Sequence, residues 1–226
     1  MFRIVFVALL VMVATPAAAA IPDGAARACG VTEQTIAASR AAAPILATFE
    51  RDAAFAERGN GAIRIIEFSD YSCPACRALH PRWLSFARDN PDVRISVVEY
   101  PIYGRTIVSR ATGNRTLNAS RIAIAASAQG KQLAFHDALM QIPGRVDDSA
   151  IRLAAQRAGI NWSVVRREAE TAAVGARVDA NLALAQRLGF QGTPHVIVDG
   201  VLLSLQRGWT FQQVQCLVGA SRRQRS

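Results

Sequence analysis

Two cysteines separated by two residues, Cys73 and Cys76, directly follow an apolar run at 63–68 and stand at the start of a helical pattern. Far downstream, Thr193, Pro194 and His195 precede a second apolar run at 196–198. Each pattern alone is weak evidence, because paired cysteines also bind metals and proline is common in turns. Together, and in this order, they are typical of a chain that folds around a redox-active dithiol.

The junction between strand and helix suits Cys73 to act as a thiolate. Unpaired backbone N–H groups and the positive end of the helix dipole stabilise an anion at the start of a helix. Pro74 fits the first helical position without losing a hydrogen bond, and Ala75 completes the motif. We therefore expect a lowered pKa for Cys73, and we expect Cys76 to be the resolving thiol in thiol–disulfide exchange.

Pro194 is the second element of the predicted site. A proline at the entrance of a strand that faces the cysteines removes an N–H group that would compete near the thiolate. It also leaves the backbone of Thr193 free to pair with an extended substrate segment. A cis bond between Thr193 and Pro194 would place these atoms. The alternative is an ordinary turn proline.

Glu67 is the third candidate site residue. Alternate residues of a strand share one face, so Glu67 is expected to point with Ile63 and Ile65 into apolar surroundings beneath the cysteines. A buried carboxylate has a raised pKa and can accept a proton from the thiol of Cys76. The alternative is a salt bridge at the strand end with one of the many arginines.

A metal site is the alternative reading of the cysteine pair. Zinc normally takes four ligands, and the sequence holds neither a second CxxC nor paired histidines at zinc-binding spacing. His195 could add a third ligand to Cys73 and Cys76 for Cu(I) or zinc, as in a non-catalytic metal-binding or delivery protein. We expect instead that His195 is a strand residue, that His80 is exposed, and that the protein needs no metal or other cofactor.

Cys29 and Cys216 lie outside the motif, near opposite ends of the mature chain. A structural disulfide between them would close a very long loop and add about 4–5 kcal/mol of stability in the chain-entropy model. Free thiols or a bond between subunits are the alternatives.

The first twenty residues predict a secretory signal peptide. Arg3 supplies a positive charge, residues 4–13 are apolar, and residues 14–20 are mostly small. The apolar stretch is too short to span a bilayer, which needs about 20 residues. We expect cleavage near Ala20 and export to the periplasm, where disulfides persist.

The net charge of +9 comes almost entirely from arginine, and aromatic residues make up 7% of the chain. Arginines are scattered among acidic residues along the predicted helices, and only 222–225 form a basic run. A nucleic-acid surface would need clustered basic residues with aromatic side chains between them. We therefore expect a solvated basic surface and no nucleic-acid partner.

The order of elements predicts an α/β, thioredoxin-like fold with an inserted helical subdomain. Strands at 63–68 and 93–99 flank a helix at 74–89, a βαβ unit that implies parallel pairing. Residues 105–188 show no strand pattern, and this stretch exceeds what a thioredoxin core needs between the cysteines and Pro194. The helical pieces predicted there are 107–129, 131–141, 147–158, 162–172 and 174–188.

The carboxyl-terminal part predicts a hairpin and a helix. Asp199 and Gly200 between apolar runs at 195–198 and 201–204 favour a two-residue turn, and a closing helix follows at 210–219. The predicted division is a signal peptide at 1–20, an N-terminal helical segment at 21–61, a thioredoxin domain at 62–217 and a basic tail at 218–226.

The segment before the first predicted strand reads as helical over 30–58. Thr32 could cap its start, and Pro44 fits the first turn of a second helical piece. Apolar side chains from Ile45 to Ala56 then form one stripe. The stripe could pack on the main domain, which we expect, or join two copies of the chain in a homo-oligomer.

The segment 67–77 resembles the active-site segment of the DsbA-like thioredoxin-fold proteins. Segments 99–104, 135–139 and 192–195 are similar to the family's segments after the second strand, within the helical insertion and at the cis-proline loop. The resemblance implies dithiol–disulfide exchange on exported, cysteine-containing proteins without a cofactor, and a recycling partner in the membrane. It assigns Cys73 and Cys76 as the redox pair.

Two residues depart from the strongly oxidising members of that family. The dipeptide between the cysteines is Pro74-Ala75, where those members carry Pro-His, so a donor that would stabilise the thiolate is missing. Thr193 before the proline is typical of the isomerase and reductase relatives. We expect a less oxidising couple, with the direction of exchange left open.

Overall fold

A computed structural model describes residues 21–49, 53–104, 113–204 and 207–226. In these residues the chain forms a five-stranded sheet with strand order β1-β3-β2-β4-β5. The strands are β1 Phe55–Arg58, β2 Ile63–Ser69, β3 Val93–Glu99, β4 His195–Val198 and β5 Val201–Leu203. The predicted α/β fold with a thioredoxin-like core is confirmed.

The predicted βαβ unit forms the centre of the sheet. Strands β2 and β3 pair in parallel, in the register Ile65↔Ile95, and helix α3, Pro74–Asp89, connects them. Both strands are buried along nearly their whole length, as expected of a parallel pair that is covered on both faces. The carboxyl end of β2 therefore leads directly into the cysteine motif.

The predicted hairpin also forms. Strand β4 pairs antiparallel with both β2 and β5, and Asp199 and Gly200 make the turn. Both turn residues have positive φ, 41° and 90°, which suits the twist of a two-residue hairpin. The carboxylate of Asp199 is held by the backbone N–H of Arg64, the hydroxyl of Ser221 and the guanidinium of Arg225.

The helical insertion lies between β3 and β4. The five helices there agree with the five predicted pieces, although residues 107–112 of the first piece lie outside the described residues. The helices are α4 Gly113–Ala126, α5 Gln132–Gln141, α6 Asp148–Arg157, α7 Trp162–Ala169 and α8 Ala172–Arg187, and α1 Asp23–Ala28, α2 Glu33–Leu46 and α9 Phe211–Arg225 complete the described helices. None of the helices in the described ranges is both long and apolar enough to cross a bilayer.

Three apolar clusters hold these layers together. One face of the sheet packs on α1, α3 and α9, and the other packs on α2 and α8. The third cluster fills the helical insertion and reaches Cys73 and Cys76. Arg77 ties α3 to this insertion, because its guanidinium donates to the carbonyl oxygens of Tyr71 at 2.8 Å and Ile142 at 2.5 Å.

The prediction of a helix across residues 53–58 is wrong. Strand β1 occupies Phe55–Arg58 and pairs antiparallel with β3, so this part of the chain belongs to the sheet. The open edge of β3 supplies backbone hydrogen-bond partners, an influence that the sequence pattern does not reveal. The buried side chain of Asn181 exchanges hydrogen bonds with the backbone of Ala54 and so fixes the start of β1.

The rest of the N-terminal segment packs on its own domain. Phe49 is buried in the cluster that contains Ile66 and Phe68, so the apolar stripe is covered within the chain. Pro44 lies inside α2, near its end, and does not begin a second helix. Proline is tolerated there at the cost of one backbone hydrogen bond.

The predicted basic tail, 218–226, is also wrong as a separate segment, because α9 continues to Arg225. Arg222 pairs with the carboxylate of Asp92 and the amide oxygen of Asn90, which anchors the last turns on the sheet domain. Cations near the end of a helix also interact favourably with its dipole.

Candidate active site

The two thiols lie where β2 passes into α3. Cys73 is the residue that precedes the helix, and Pro74 is the first helical residue. Both thiols are free and buried, with 3% of Cys73 and none of Cys76 exposed. The backbone N–H of Cys73 donates to the carbonyl oxygen of Asp70 at 3.1 Å, which closes the loop that presents the motif.

The cis-proline loop faces these thiols. The Thr193–Pro194 peptide bond is cis, and Cys73 Sγ lies 3.2 Å from the carbonyl oxygen of Thr193. The structure thus brings together the two sequence signals, which lie 120 residues apart.

Hydrogen bonds make Cys73 acidic. Its pKa is lowered from 9.0 to about 5, chiefly by a hydrogen bond from Cys76, and Thr193 and the backbone N–H groups of Ala75 and Cys76 add to this effect. Burial acts in the opposite direction. The donors include N–H groups at the start of α3, the physical origin of reactive cysteines at helix N-termini.

Cys76 has the opposite character. Burial raises its pKa well above 9.0, and its hydrogen bond to Cys73 and the charge of Glu67 raise it further. At neutral pH Cys73 is therefore a thiolate and Cys76 a thiol. This asymmetry provides one sulfur ready to attack a disulfide and a second that reacts only when its proton is removed.

Glu67 lies on the face of β2 that packs against α3. Only 2% of it is exposed, and burial raises its pKa from 4.5 to about 7. The nearby His136 opposes this rise, whereas the negative charge of Cys73 adds to it. A carboxyl group that titrates near neutral pH and interacts with Cys76 is suited to exchange a proton with that thiol.

We expect the substitution Glu67→Gln to slow resolution by Cys76 about a hundredfold, a typical contribution of a general base. It should also stabilise the fold at alkaline pH. The folded-state pKa lies above the unfolded value, so the wild-type protein loses stability as the pH rises from about 4.5 to about 7. Glutamine removes that loss, which amounts to up to about 3 kcal/mol.

A stopped-flow experiment on a mixed disulfide measures the rate of resolution by Cys76. Denaturant unfolding at several pH values measures the change in stability. Glu57→Gln is a matched control, because Glu57 is an exposed carboxylate of β1 that accepts a hydrogen bond from Ser96. An unchanged resolution rate in Glu67→Gln would show that Glu67 is a structural residue only.

A buried polar cluster beside the thiols was not predicted. The hydroxyl of Tyr71 donates to Glu99 at 2.7 Å, Ser120 donates to the same carboxylate at 3.0 Å, and His136 Nδ1 lies 3.3 Å from the Tyr71 hydroxyl. Four elements or loops supply these side chains. Glu99 and His136 fall in segments used for the family resemblance, but nothing in the sequence pattern indicated that they meet.

His80 is buried, contrary to the prediction that it is exposed. Only 3% of it is accessible, because it lies one helical turn beyond Cys76, on the side of α3 that α5 covers. Its ring lies 5.4 Å from that of His136, and Nε2 is 3.6 Å from a carboxylate oxygen of Asp137. Burial lowers its pKa to about 4, and so His80 is neutral at physiological pH.

His195 lies inside the fold at the start of β4. Its ring stacks on Phe190 with 4.0 Å between centroids, and burial lowers its pKa to about 4. Throughout the described part of the chain, no three histidine, cysteine or acidic residues are grouped so that they could hold a metal ion. His195 does not join Cys73 and Cys76 in such a group.

Cys29 and Cys216 form a disulfide within the chain, across 187 residues of sequence. It links the end of α1 to α9 and lies in the apolar cluster that also contains Trp83. Of the three arrangements that the sequence allowed, the structure contains the intramolecular one.

Comparison with known proteins bears on the family of the chain. The family model of the DSBA-like thioredoxin domain matches residues 64–222. A thioredoxin-like oxidoreductase from Silicibacter pomeroyi DSS-3 is 32% identical, with 75% of this chain and 92% of that chain covered and a TM-score of 0.64. Comparison with curated proteins gives no significant match.

Two further solved structures share the fold. A periplasmic thioredoxin-like protein from Salmonella enterica serovar Typhimurium is 25% identical, with coverage of 78% of this chain and 95% of that chain and a TM-score of 0.64. The thiol-disulfide exchange protein alpha-DsbA2 from Wolbachia pipientis is 20% identical, with coverage of 85% and 98% and a TM-score of 0.68. The resemblance inferred from the motifs is thus confirmed, and the chain belongs to the DSBA-like thioredoxin family of thiol–disulfide oxidoreductases.

Proposed function

We propose that this enzyme exchanges disulfides with exported, cysteine-containing proteins in the periplasm, through the motif Cys73-Pro-Ala-Cys76 and after signal-peptide cleavage near Ala20. The observation that carries the proposal is the opposite pKa shift of the two thiols next to the cis-proline loop. In the reduced enzyme the Cys73 thiolate attacks a substrate disulfide, and in the oxidised enzyme Cys73 Sγ is the sulfur that a substrate thiolate attacks. The buried thiol of Cys76 closes the enzyme's own disulfide.

The exchange proceeds through a mixed disulfide on Cys73. In the oxidised enzyme, a substrate thiolate attacks Cys73 Sγ, the bond between the two cysteines breaks, and Cys76 leaves as a thiolate that takes a proton from Glu67. In the reverse step, Cys76 returns its proton to Glu67, attacks Cys73 and releases the substrate as a thiolate. The backbone of Thr193 pairs with the substrate segment around its cysteine.

The pKa of Cys73 supports an intermediate reduction potential. Its pKa of about 5 lies between the values of about 7 for thioredoxin and about 3.5 for a strongly oxidising relative. A stabilised thiolate favours the reduced enzyme and so makes the disulfide more oxidising. The direction in the cell is then set by a recycling partner, for which we propose a membrane protein.

Equilibration of the mature protein with glutathione buffers tests the proposal. We expect a reduction potential between about −270 and −120 mV, the range that separates thioredoxin from the strong oxidase. Measurement of the oxidised fraction by alkylation and mass spectrometry gives this value directly. A protein that does not exchange with glutathione, and that binds one equivalent of Cu(I) only when reduced, would instead be the metal-binding protein that the cysteine pair also allows.

A further inference from the structure

Tyr71 lies two residues before Cys73 and is held at both of its ends. Its hydroxyl donates to a carboxylate oxygen of Glu99 at 2.7 Å, and its carbonyl oxygen accepts from Arg77 at 2.8 Å. Tyr71 is 1% exposed, and its ring packs edge-on against Phe135 with 6.1 Å between the ring centroids. Tyr71 is therefore fixed between the end of β3, the start of α3 and α5.

Glu99 is itself a rigid anchor for the Tyr71 hydroxyl. Its other carboxylate oxygen accepts from Ser120 of α4, and its backbone carbonyl oxygen accepts from Asn181 of α8, both at 3.0 Å. His136 Nδ1, on α5, lies 3.3 Å from the Tyr71 hydroxyl and 3.7 Å from the carboxylate. The single proton of the hydroxyl goes to Glu99, so His136 Nδ1 donates to the hydroxyl oxygen. A buried network in which each member has a partner is rigid.

This network acts on the loop that carries the reactive sulfur. The loop closes through the hydrogen bond from Cys73 to the carbonyl oxygen of Asp70, and Tyr71 lies inside it. Cys73 Sγ lies 3.2 Å from the carbonyl oxygen of Thr193, and the groups that lower the pKa of Cys73 belong to α3 and the cis-proline loop. Their effect depends on where the loop places the sulfur, because hydrogen bonds weaken steeply when their geometry is disturbed.

We propose that Tyr71 is a positioning residue, whose hydrogen bond to Glu99 holds Cys73 in place against α3 and the cis-proline loop. The inference rests on the proposed function, because it concerns the attack of the Cys73 thiolate on a substrate disulfide. In that step Cys73 Sγ supplies the electron pair of the new mixed disulfide, the substrate's own disulfide breaks, and its second sulfur leaves as a thiolate. Tyr71 takes no part in this chemistry and acts only through the position of Cys73.

Tyr71→Phe tests the inference, because it removes the hydroxyl and keeps the ring. Ser221→Ala is the matched control. The Ser221 hydroxyl also donates to a buried carboxylate, that of Asp199, but at the turn between β4 and β5, at the opposite end of β4 from the cis-proline loop. Both variants lose a donor to a buried carboxylate, so both should unfold at lower denaturant concentration than the wild type. Only Tyr71→Phe should change the active sulfur.

The pKa of Cys73 and the reduction potential are the two readouts. We expect Tyr71→Phe to raise the pKa of Cys73 by about one unit, which means tenfold less thiolate formation. The thiolate absorbance in the ultraviolet, followed against pH, measures this change. A tenfold less stable thiolate also makes the couple about 30 mV more negative in glutathione buffers. Both values in Ser221→Ala should equal those of the wild type.

Glu99→Gln is a second variant, and it decides alone if Tyr71→Phe does not fold. Glutamine keeps an oxygen that accepts from Tyr71 but makes the hydrogen bond neutral, which is about half as strong as a charge-assisted one. We therefore expect about threefold less thiolate formation in this variant.

A Cys73 pKa that stays at the wild-type value in the folded variants, or that rises equally in Ser221→Ala, would overturn the inference and leave the proposed function intact. A wild-type protein that does not exchange disulfides, but whose Cys73 pKa rises in Tyr71→Phe and not in Ser221→Ala, would overturn the function and leave the positioning role established.

Discussion

Cys76→Ser is expected to trap the enzyme in mixed disulfides with its substrates, whereas Cys73→Ser should abolish exchange completely. Cys73 carries the thiolate, and serine at that position forms no disulfide. Cys76 is the only described free thiol beside it, so its loss leaves no nucleophile to release a bound substrate. Non-reducing electrophoresis of exported protein, followed by mass spectrometry, measures the trapped species.

The double variant Cys73→Ser/Cys76→Ser is the control for capture by other cysteines. Cys29 and Cys216 are joined to each other, and we therefore expect no adducts from the double variant. Adducts that form equally well in Cys73→Ser would mean that Cys76 is the exposed nucleophile. That result would contradict the burial and the raised pKa of Cys76 and reverse the assigned roles of the two cysteines.

The site was predictable where a residue's role follows from its immediate chain context. A CxxC motif at the start of a helix gives Cys73 hydrogen bonds from Cys76 and from backbone N–H groups, which lower its pKa, and strand alternation puts Glu67 beneath it. The burial of His80 was not predictable in the same way. It depends on α5, which packs over α3 from more than fifty residues downstream, and only the tertiary structure shows that contact.

The same limit applies to the fold. The parallel pair β2 and β3 is apolar throughout, so the sequence indicates it strongly. Strand β1 is short and partly exposed, and it pairs only because β3 offers a free edge. The contact between Asp70 and the backbone of Tyr103 escaped notice for a related reason, because a hydrogen bond between two loops leaves no pattern in the sequence.

Removal of the disulfide between Cys29 and Cys216 should destabilise the fold strongly without changing the active site. The bond spans 187 residues, and the chain-entropy model assigns about 5 kcal/mol to a loop of that length. Cys29→Ala/Cys216→Ala should therefore show a free energy of unfolding lower by roughly that amount. The bond lies in the cluster of α1 and α9, whereas the redox pair lies in that of the helical insertion. The pKa of Cys73 should consequently be unchanged.

Denaturant unfolding of the variant and of the wild type measures the loss, and titration of the Cys73 thiolate measures the site. Wild-type protein unfolded in excess dithiol is the internal control, because the dithiol reduces the bond between Cys29 and Cys216 and opens the same loop without substituting a residue. The two experiments should agree, since both act mainly on the unfolded chain. A loss below about 1 kcal/mol would mean that the ends of the unfolded chain already stay close together. α1 and α9 would then be held by their apolar contacts, with the disulfide adding little.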